Sequence, residues 1–343
     1  MLDKKDIKNL ALEEFKQELE KISEPSYRAE QIFSWIYKKG IEDFDAMDNL
    51  PKSFRNKLAQ SFYIGAIKPL KRLKSIDGTE KVLFELSDGN LIETVLICSG
   101  KRKTACLSTQ AGCKYACAFC ASGMNGFKRN LSVSEILSQI LYLAYSLKHG
   151  MTNFVFMGMG EPFDNYENVS RAVRMMNSPK AMGIAARRIT VSTSGIIPGI
   201  EKFKELGLQV NLSISLHAAN SGLRDKLMSV NKKYSLEELL KACENYISND
   251  GRMLTLEYMV LKDINDSQKD IDDLAKIARR LKAKVNIIPY SNIPGLEFKS
   301  PLKKDIEIFK SNLLKKGINV IVRESKGKDI MAACGQLAGT LTS

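Results

Sequence analysis

The chain predicts an α/β fold: a parallel sheet of about six strand–helix units curled into a partial or complete barrel, preceded by a small helical domain and a β-hairpin. Three observations carry this. Short apolar runs alternate with amphipathic helical segments through the C-terminal two thirds. The N-terminal sixty or so residues show only helical periodicity. Several strand-like runs end directly in glycine-rich or polar turns, as at the C-terminal face of barrel enzymes.

In chain order, Leu12, Phe15, Leu19 and Ile22 recur at helical spacing before a break at Ser23-Glu24-Pro25. A second helix over Arg28 to Lys38 groups Ile32, Trp35 and Ile36, and a third begins after Leu50-Pro51. We place this helical unit at residues 1–78, with a basic edge that includes Lys52, Arg55, Lys68, Lys71 and Arg72. Two β-rich runs, Glu80–Leu86 and Leu91–Ile97, flank Asp88-Gly89 and predict a hairpin connector over residues 79–98. The barrel unit then spans 99–343. Ser132-Val133-Ser134-Glu135 is a capping box opening a helix to about His149. Strands follow at 154–157, 189–192, 210–215, 254–261, 285–289 and 320–323, with periodic helices between them.

Composition narrows the setting. Hydrophobic content of 44% is ordinary for a globular protein, and no apolar run approaches the roughly 20 residues of a membrane span. The charged start, Met1 to Asp6, has no apolar export core, so a cytoplasmic protein with seven reduced cysteines is expected. A net charge of +13 points to a polyanionic partner, with nucleic acid first. From Thr94 to Ser134 there is no acidic residue, while Lys101, Arg102, Lys103, Lys114, Lys128 and Arg129 all fall inside. A charge run is commonly just a solvated face, but this one surrounds a cysteine-rich loop.

That loop is Gly112-Cys113-Lys114-Tyr115-Ala116-Cys117-Ala118-Phe119-Cys120. Three thiols at C-x3-C-x2-C spacing suit an iron–sulfur cluster, whose irons take soft thiolate ligands. A four-iron cubane normally takes four cysteines, so three leave one iron open to a substrate or cofactor. Zinc is the alternative, although no second ligand pair follows downstream. Among the strand ends, Gly158-Met159-Gly160-Glu161-Pro162 would let backbone approach a ligand while Glu161 receives an ammonium group. His217 ends the Val210–Ser215 run and is a candidate ligand contact, whereas His149 is explained by helix capping. Cys98 and Cys243 read as small buried hydrophobes. Cys106 and Cys334 do not: one lies seven residues before Cys113, the other in a small-residue loop, Ala332-Ala333-Cys334-Gly335.

The triad with Phe119 before its last cysteine resembles the radical S-adenosylmethionine superfamily. With Cys106, G-M-G-E-P and the terminal A-A-C-G-Q-L, the chain resembles the RlmN/Cfr family of radical methyltransferases acting on RNA adenines. The resemblance implies a partial (β/α)6 barrel and one 4Fe-4S cluster held by Cys113, Cys117 and Cys120. It places S-adenosylmethionine against Gly160, Glu161, Ser192, Ser215, Leu216, His217 and either Ser291 or Asn292. It further implies that two molecules of that cofactor are used per turnover: Cys334 would accept a methyl group from the first, and the reduced cluster would cleave the second to a radical that activates this methyl for addition to adenine. By the same resemblance, Cys106 would resolve the RNA–Cys334 adduct as a disulfide, with Glu93 removing the ring proton.

The expected substrates are adenine C2 in the peptidyl transferase centre of 23S rRNA and the adenine 3′ to the anticodon in tRNA. A one-electron donor such as flavodoxin completes the system, and nothing suggests an obligate oligomer. Two other readings compete. A Cfr-type enzyme methylates C8 with the same machinery, but K-R-K-T-A-C-L-S-T-Q and G-M-G-E-P favour C2. An iron–sulfur RNA-binding or redox-sensing protein without catalysis would leave Cys106 and Cys334 idle.

Overall fold

The computed structural model describes residues 4–248 and 253–340. Three helices, α1 (Leu12–Lys21), α2 (Arg28–Lys39) and α3 (Lys52–Ser61), open the chain. Their apolar faces meet around Phe15, which stacks on Phe33 at 5.9 Å and packs edge-on against Phe62 at 5.4 Å. Gly40, left-handed at φ +68°, ends α2 where the sequence turns polar.

Ten strands then form one sheet. They are β1 (Lys68–Lys74), β2 (Glu80–Glu85), β3 (Leu91–Ser99), β4 (Arg102–Cys106), β5 (Asn153–Phe156), β6 (Ile189–Thr193), β7 (Asn211–Ser215), β8 (Leu254–Val260), β9 (Lys284–Pro289) and β10 (Val320–Val322). Their spatial order runs from β10 to β1 without interchange. Strands β4 through β10 are parallel, and β1 to β3 extend the sheet antiparallel beyond β4. Helices α4 (Val133–Leu141), α5 (Tyr166–Asn177), α6 (Ile197–Lys204), α7 (Ser221–Leu227), α8 (Leu236–Ile247), α9 (Gln268–Arg280) and α10 (Lys303–Lys315) connect the parallel strands. The sheet curls: Arg323, just past edge strand β10, donates to Met157 Sδ, just past β5, at 3.2 Å.

The fold is the α/β barrel expected, although the hairpin strands join its sheet antiparallel and make it mixed, and two further strands differ. The first parallel strand is β4, Arg-Lys-Thr-Ala-Cys, which has too few apolar residues to register as a buried strand. It makes seven parallel strands rather than six and ends on Cys106. Residues 68–74, which the sequence assigns to the helical unit, form β1 instead. Its K-P-L-K-R-L-K sequence hides a strand because charge and proline mark a sheet edge, and the register slips between Pro69 and Lys71. The hairpin turn at Asp88-Gly89 forms as expected, with Leu86 N–H bonding to Asn90 O at 2.8 Å.

The capping box at the start of α4 is present in full: Ser132 Oγ accepts from Glu135 N–H, and the Glu135 carboxylate accepts from Ser132 N–H at 2.9 Å. The N-terminal helices dock against this helix through a buried lysine. Lys8, with no exposed surface, donates to Ser138 Oγ at 2.6 Å. Burial lowers its pKa to about 8, against the opposing pull of Asp6 and Glu42. Because the folded pKa lies below the unfolded one, stability is greatest above about pH 10.5 and is lost as pH falls to about 8. Lys8→Met is therefore expected to stabilise the protein at pH 7 by on the order of 1–3 kcal/mol. The mutant's advantage should vanish between pH 8 and 10.5 in urea melts; an advantage independent of pH would contradict it.

Candidate active site

A cavity of about 590 Å3 opens inside the curled sheet. That volume suits a nucleoside-sized ligand. The loop after β4 supplies its first wall. Gly112 takes φ +74°, and a Cβ there would lie 1.8 Å from Gly126 O, so only glycine lets the loop fold back on itself. Residues 110–111 pair with 129–130 and close the loop's base. Cys113, Cys117 and Cys120 all line the cavity. Among the described residues no three His, Cys, Asp or Glu side chains converge on a point suited to one metal ion. Three thiols brought to one cavity by a short loop suit an iron–sulfur cluster, whose irons take thiolate ligands. Burial raises all three thiol pKa values, that of Cys113 to about 12, so a cationic centre is needed to displace their protons.

The turn after β5 supplies the next wall. Gly160 adopts φ +96°, and a Cβ there would stand 2.5 Å from Gln110 Cβ. This close approach sets Glu161, whose N–H donates to Gln110 Oε1 at 2.8 Å. The buried carboxylate accepts from Phe163 N–H at 2.9 Å and Ser194 N–H at 2.7 Å, joining two strand ends. Burial pushes its pKa up, and those bonds pull back. By the cofactor role that the resemblance implies for this turn, Gly160→Ala is expected to weaken S-adenosylmethionine binding at least tenfold, as each 1.4 kcal/mol of strain costs about that factor. Isothermal titration calorimetry checks this; unchanged affinity would show that the turn tolerates a methyl group.

Ser192 and Ser215 face each other at 3.2 Å between their hydroxyls, one from β6 and one from β7. His217, strained at φ +55°, accepts from Met259 N–H on Nδ1 at 3.0 Å. Its ring meets Phe119 edge-on at 4.9 Å, tying the β7 end to the cysteine loop. Burial lowers its pKa to about 3, so the ring is neutral and Nε2 carries the proton.

Cys106 and Cys334 line the same cavity as the three loop cysteines, and all five are free thiols. Burial drives Cys106 up to about 12. Cys334 is exposed by area yet deep within the protein, because it faces the open cavity; its thiol is pushed up to about 11. The segment carrying it crosses the open side of the barrel as a strap. Gly327 N–H bonds Asp77, Asp329 bonds Ser75, Ala121 N–H bonds Gly335 O at 2.7 Å, and Ser122 bonds Leu337 O at 2.7 Å.

Four sequence-selected residues lie outside the cavity lining. Glu93 is fully buried behind the wall, paired with Lys81 at 2.8 Å, and accepts from Ala338 and Gly339 N–H. It anchors the strap's end. Leu216 is buried with its carbonyl toward Arg224. Asn292 is turned to Ser300, and the Ser291 hydroxyl is buried without a hydrogen-bond partner among the described residues. Conversely, Glu257 and Arg323 line the cavity and were not selected. Their signal was a single charge at an otherwise apolar strand, L-T-L-E-Y-M-V and V-I-V-R.

A model of the radical SAM superfamily matches residues 107–278, and one described as the ribosomal RNA large subunit methyltransferase N-terminal domain matches residues 5–64. A protein of Clostridium novyi named "Probable dual-specificity RNA methyltransferase RlmN" is 43% identical over 334 residues, 97% of both chains. The chain belongs to the RlmN family. A Bacillus cereus relative of the same name is 43% identical over 97% of this chain and 93% of its own. A crystal structure of a radical SAM methyltransferase from Sphaerobacter thermophilus superposes with a TM-score of 0.94 at 41% identity, covering 98% of this chain and all of that one. RlmN-family membership brings with it a 4Fe-4S cluster and S-adenosylmethionine, which the cysteine loop and the cavity fit. No helix among the described residues is long and apolar enough to cross a membrane.

Proposed function

We propose that this radical S-adenosylmethionine RNA methyltransferase modifies C2 of an adenine in 23S rRNA and of the adenine 3′ to the anticodon in tRNA. The observation that carries the reading is the gathering of Cys106 and Cys334 into one cavity with the three loop thiols and the Glu161 turn. Cys113, Cys117 and Cys120 would hold the cluster, which when bound and reduced supplies the electron for radical chemistry. Gly160, Glu161, Ser192, Ser215 and His217 would bind S-adenosylmethionine, with Leu216 and Ser291 or Asn292 supporting the pocket from behind. Cys334 would carry the methyl group, and Cys106 would release the RNA by disulfide formation. Glu93 would act from behind the strap, as the base or by setting the position of Cys334.

RNA would approach over the surface formed by the basic stretch from residue 94 to 134. Lys114 and Arg129 there are paired with Asp164 and with Asp88 and Glu135, while Lys101, Arg102 and Lys128 are exposed. Exposed Met124 and Phe127 beside Lys128 offer apolar surface for a base drawn from its stack. We further propose a cytoplasmic monomer fed by an external one-electron donor such as flavodoxin. The test is anaerobic cluster reconstitution, reaction with rRNA and tRNA fragments, and mass spectrometry of the digested nucleosides. Methylation at adenine C2 is expected. A C8 product would move the protein to Cfr-type chemistry, and no product from a loaded, reducible cluster would overturn the enzyme reading.

A further inference from the structure

Two ion pairs that line the cavity have no part in the reaction above: Lys326 with Glu324, whose carboxylate is exposed, and Arg323 with Glu257, whose carboxylate is buried. Glu257 sits mid-strand in β8, 2% exposed. Its Oε1 accepts from Asn286 on the neighbouring strand at 2.9 Å, and its Oε2 faces Arg323 Nη1 at 3.6 Å. Arg323 also donates to Met157 Sδ at 3.2 Å, two residues past Val155, which pairs with Cys106 in the sheet. Arg323 is partly open to the cavity, but burying the Glu257 carboxylate costs desolvation that an apolar side chain would avoid, so stability does not account for the pair.

Its surroundings do. Arg323, Cys106 and Cys334 line one cavity, and there the guanidinium charge favours the thiolate form of both cysteines. Glu257 opposes negative charge on Cys334, so its use lies in holding the guanidinium, together with Met157. Arginine suits this role because it stays charged when surrounded by protein.

We propose that Arg323 is a positioning residue for the release step: held by Glu257 and Met157, it stabilises the thiolate of Cys106 as this attacks the sulfur of Cys334. The inference rests on the reaction proposed above. In that step the Cys106–Cys334 S–S bond forms and the Cys334 S–CH2 bond to the RNA breaks. The bonding pair goes to the methylene carbon, which takes up a proton and becomes the methyl group. The two sulfurs are oxidised, the carbon is reduced, and a dithiol reductant restores the thiols afterwards.

The test compares reconstituted wild-type, C106A, R323Q and R323K holoenzymes with an rRNA fragment and excess dithiothreitol. Denaturing gels measure RNA–protein adduct, and nucleoside mass spectrometry measures free product. R323Q is expected to accumulate adduct as C106A does, with release about tenfold or more slower, and raising the pH should speed release in R323Q but not in C106A. R323K, which keeps the charge, should largely restore release. Wild-type release by R323Q, adduct that high pH does not relieve, or loss of RNA modification with no adduct would each overturn the inference. Should R323Q fail to fold, R323K decides: adduct at the C106A level would show that the charge is not what matters. Failure of the wild-type enzyme to methylate RNA would instead sink the underlying reaction.

Discussion

Replacing Cys334 by alanine is expected to abolish turnover while the cluster absorbance and thermal midpoint stay at wild-type values. The side chain faces the cavity rather than the core, so removing one sulfur leaves no packing defect behind. What disappears is the atom on which the transferred carbon would reside, and no neighbouring thiol would take its place: Cys106 belongs to β4 and the loop thiols would be held by the cluster. Cys106→Ala should behave differently, with RNA held covalently on the protein and product formation limited to less than one turnover. Normal multiple turnover by Cys334→Ala would remove the methyl-carrier mechanism. Free methylated product without adduct from Cys106→Ala would remove its resolving role.

Cys117→Ala is expected to lose the cluster itself. Purified and reconstituted protein should contain almost no iron, lack the brown iron–sulfur absorbance and show only background methylation. A cubane with two protein thiolates instead of three has two open irons and is prone to loss. Cys243→Ala is the matched control. Cys243 is fully buried on α8, away from the cavity lining, so its replacement should cost about 1–2 kcal/mol of stability with iron content and activity intact. Full iron occupancy in Cys117→Ala would show that the loop is not the cluster site.

Much of this architecture was legible because it is local. The box at Ser132 and Glu135, the Asp88-Gly89 turn and the strand-to-glycine transition at Gly158 each need only a few adjacent residues. The C-x3-C-x2-C loop was legible for the same reason. Strand β4 was not, since a sequence as polar as Arg-Lys-Thr-Ala-Cys becomes a strand only when β3 and β5 pair with both its sides. Edge strand β1 was hidden by the very lysines and proline that keep an edge from aggregating. The burial of Glu93 behind the wall depends on Lys81 and on residues some 245 positions away, beyond the reach of any pattern within a strand. Glu257 and Arg323 look like solvated charges until the sheet curls and brings the end of β10 to Met157.

The strap that carries Cys334 also sets a timetable for folding. Its bonds to Ser75, Asp77 and Glu93 join residues 254, 250 and 245 positions apart. Contacts of such separation close late, because the loop-closure entropy between them must be overcome first. During synthesis the cysteine loop and most of the barrel leave the ribosome before the strap exists. A nascent chain can therefore assemble its cluster loop while still lacking the thiol that would make it reactive.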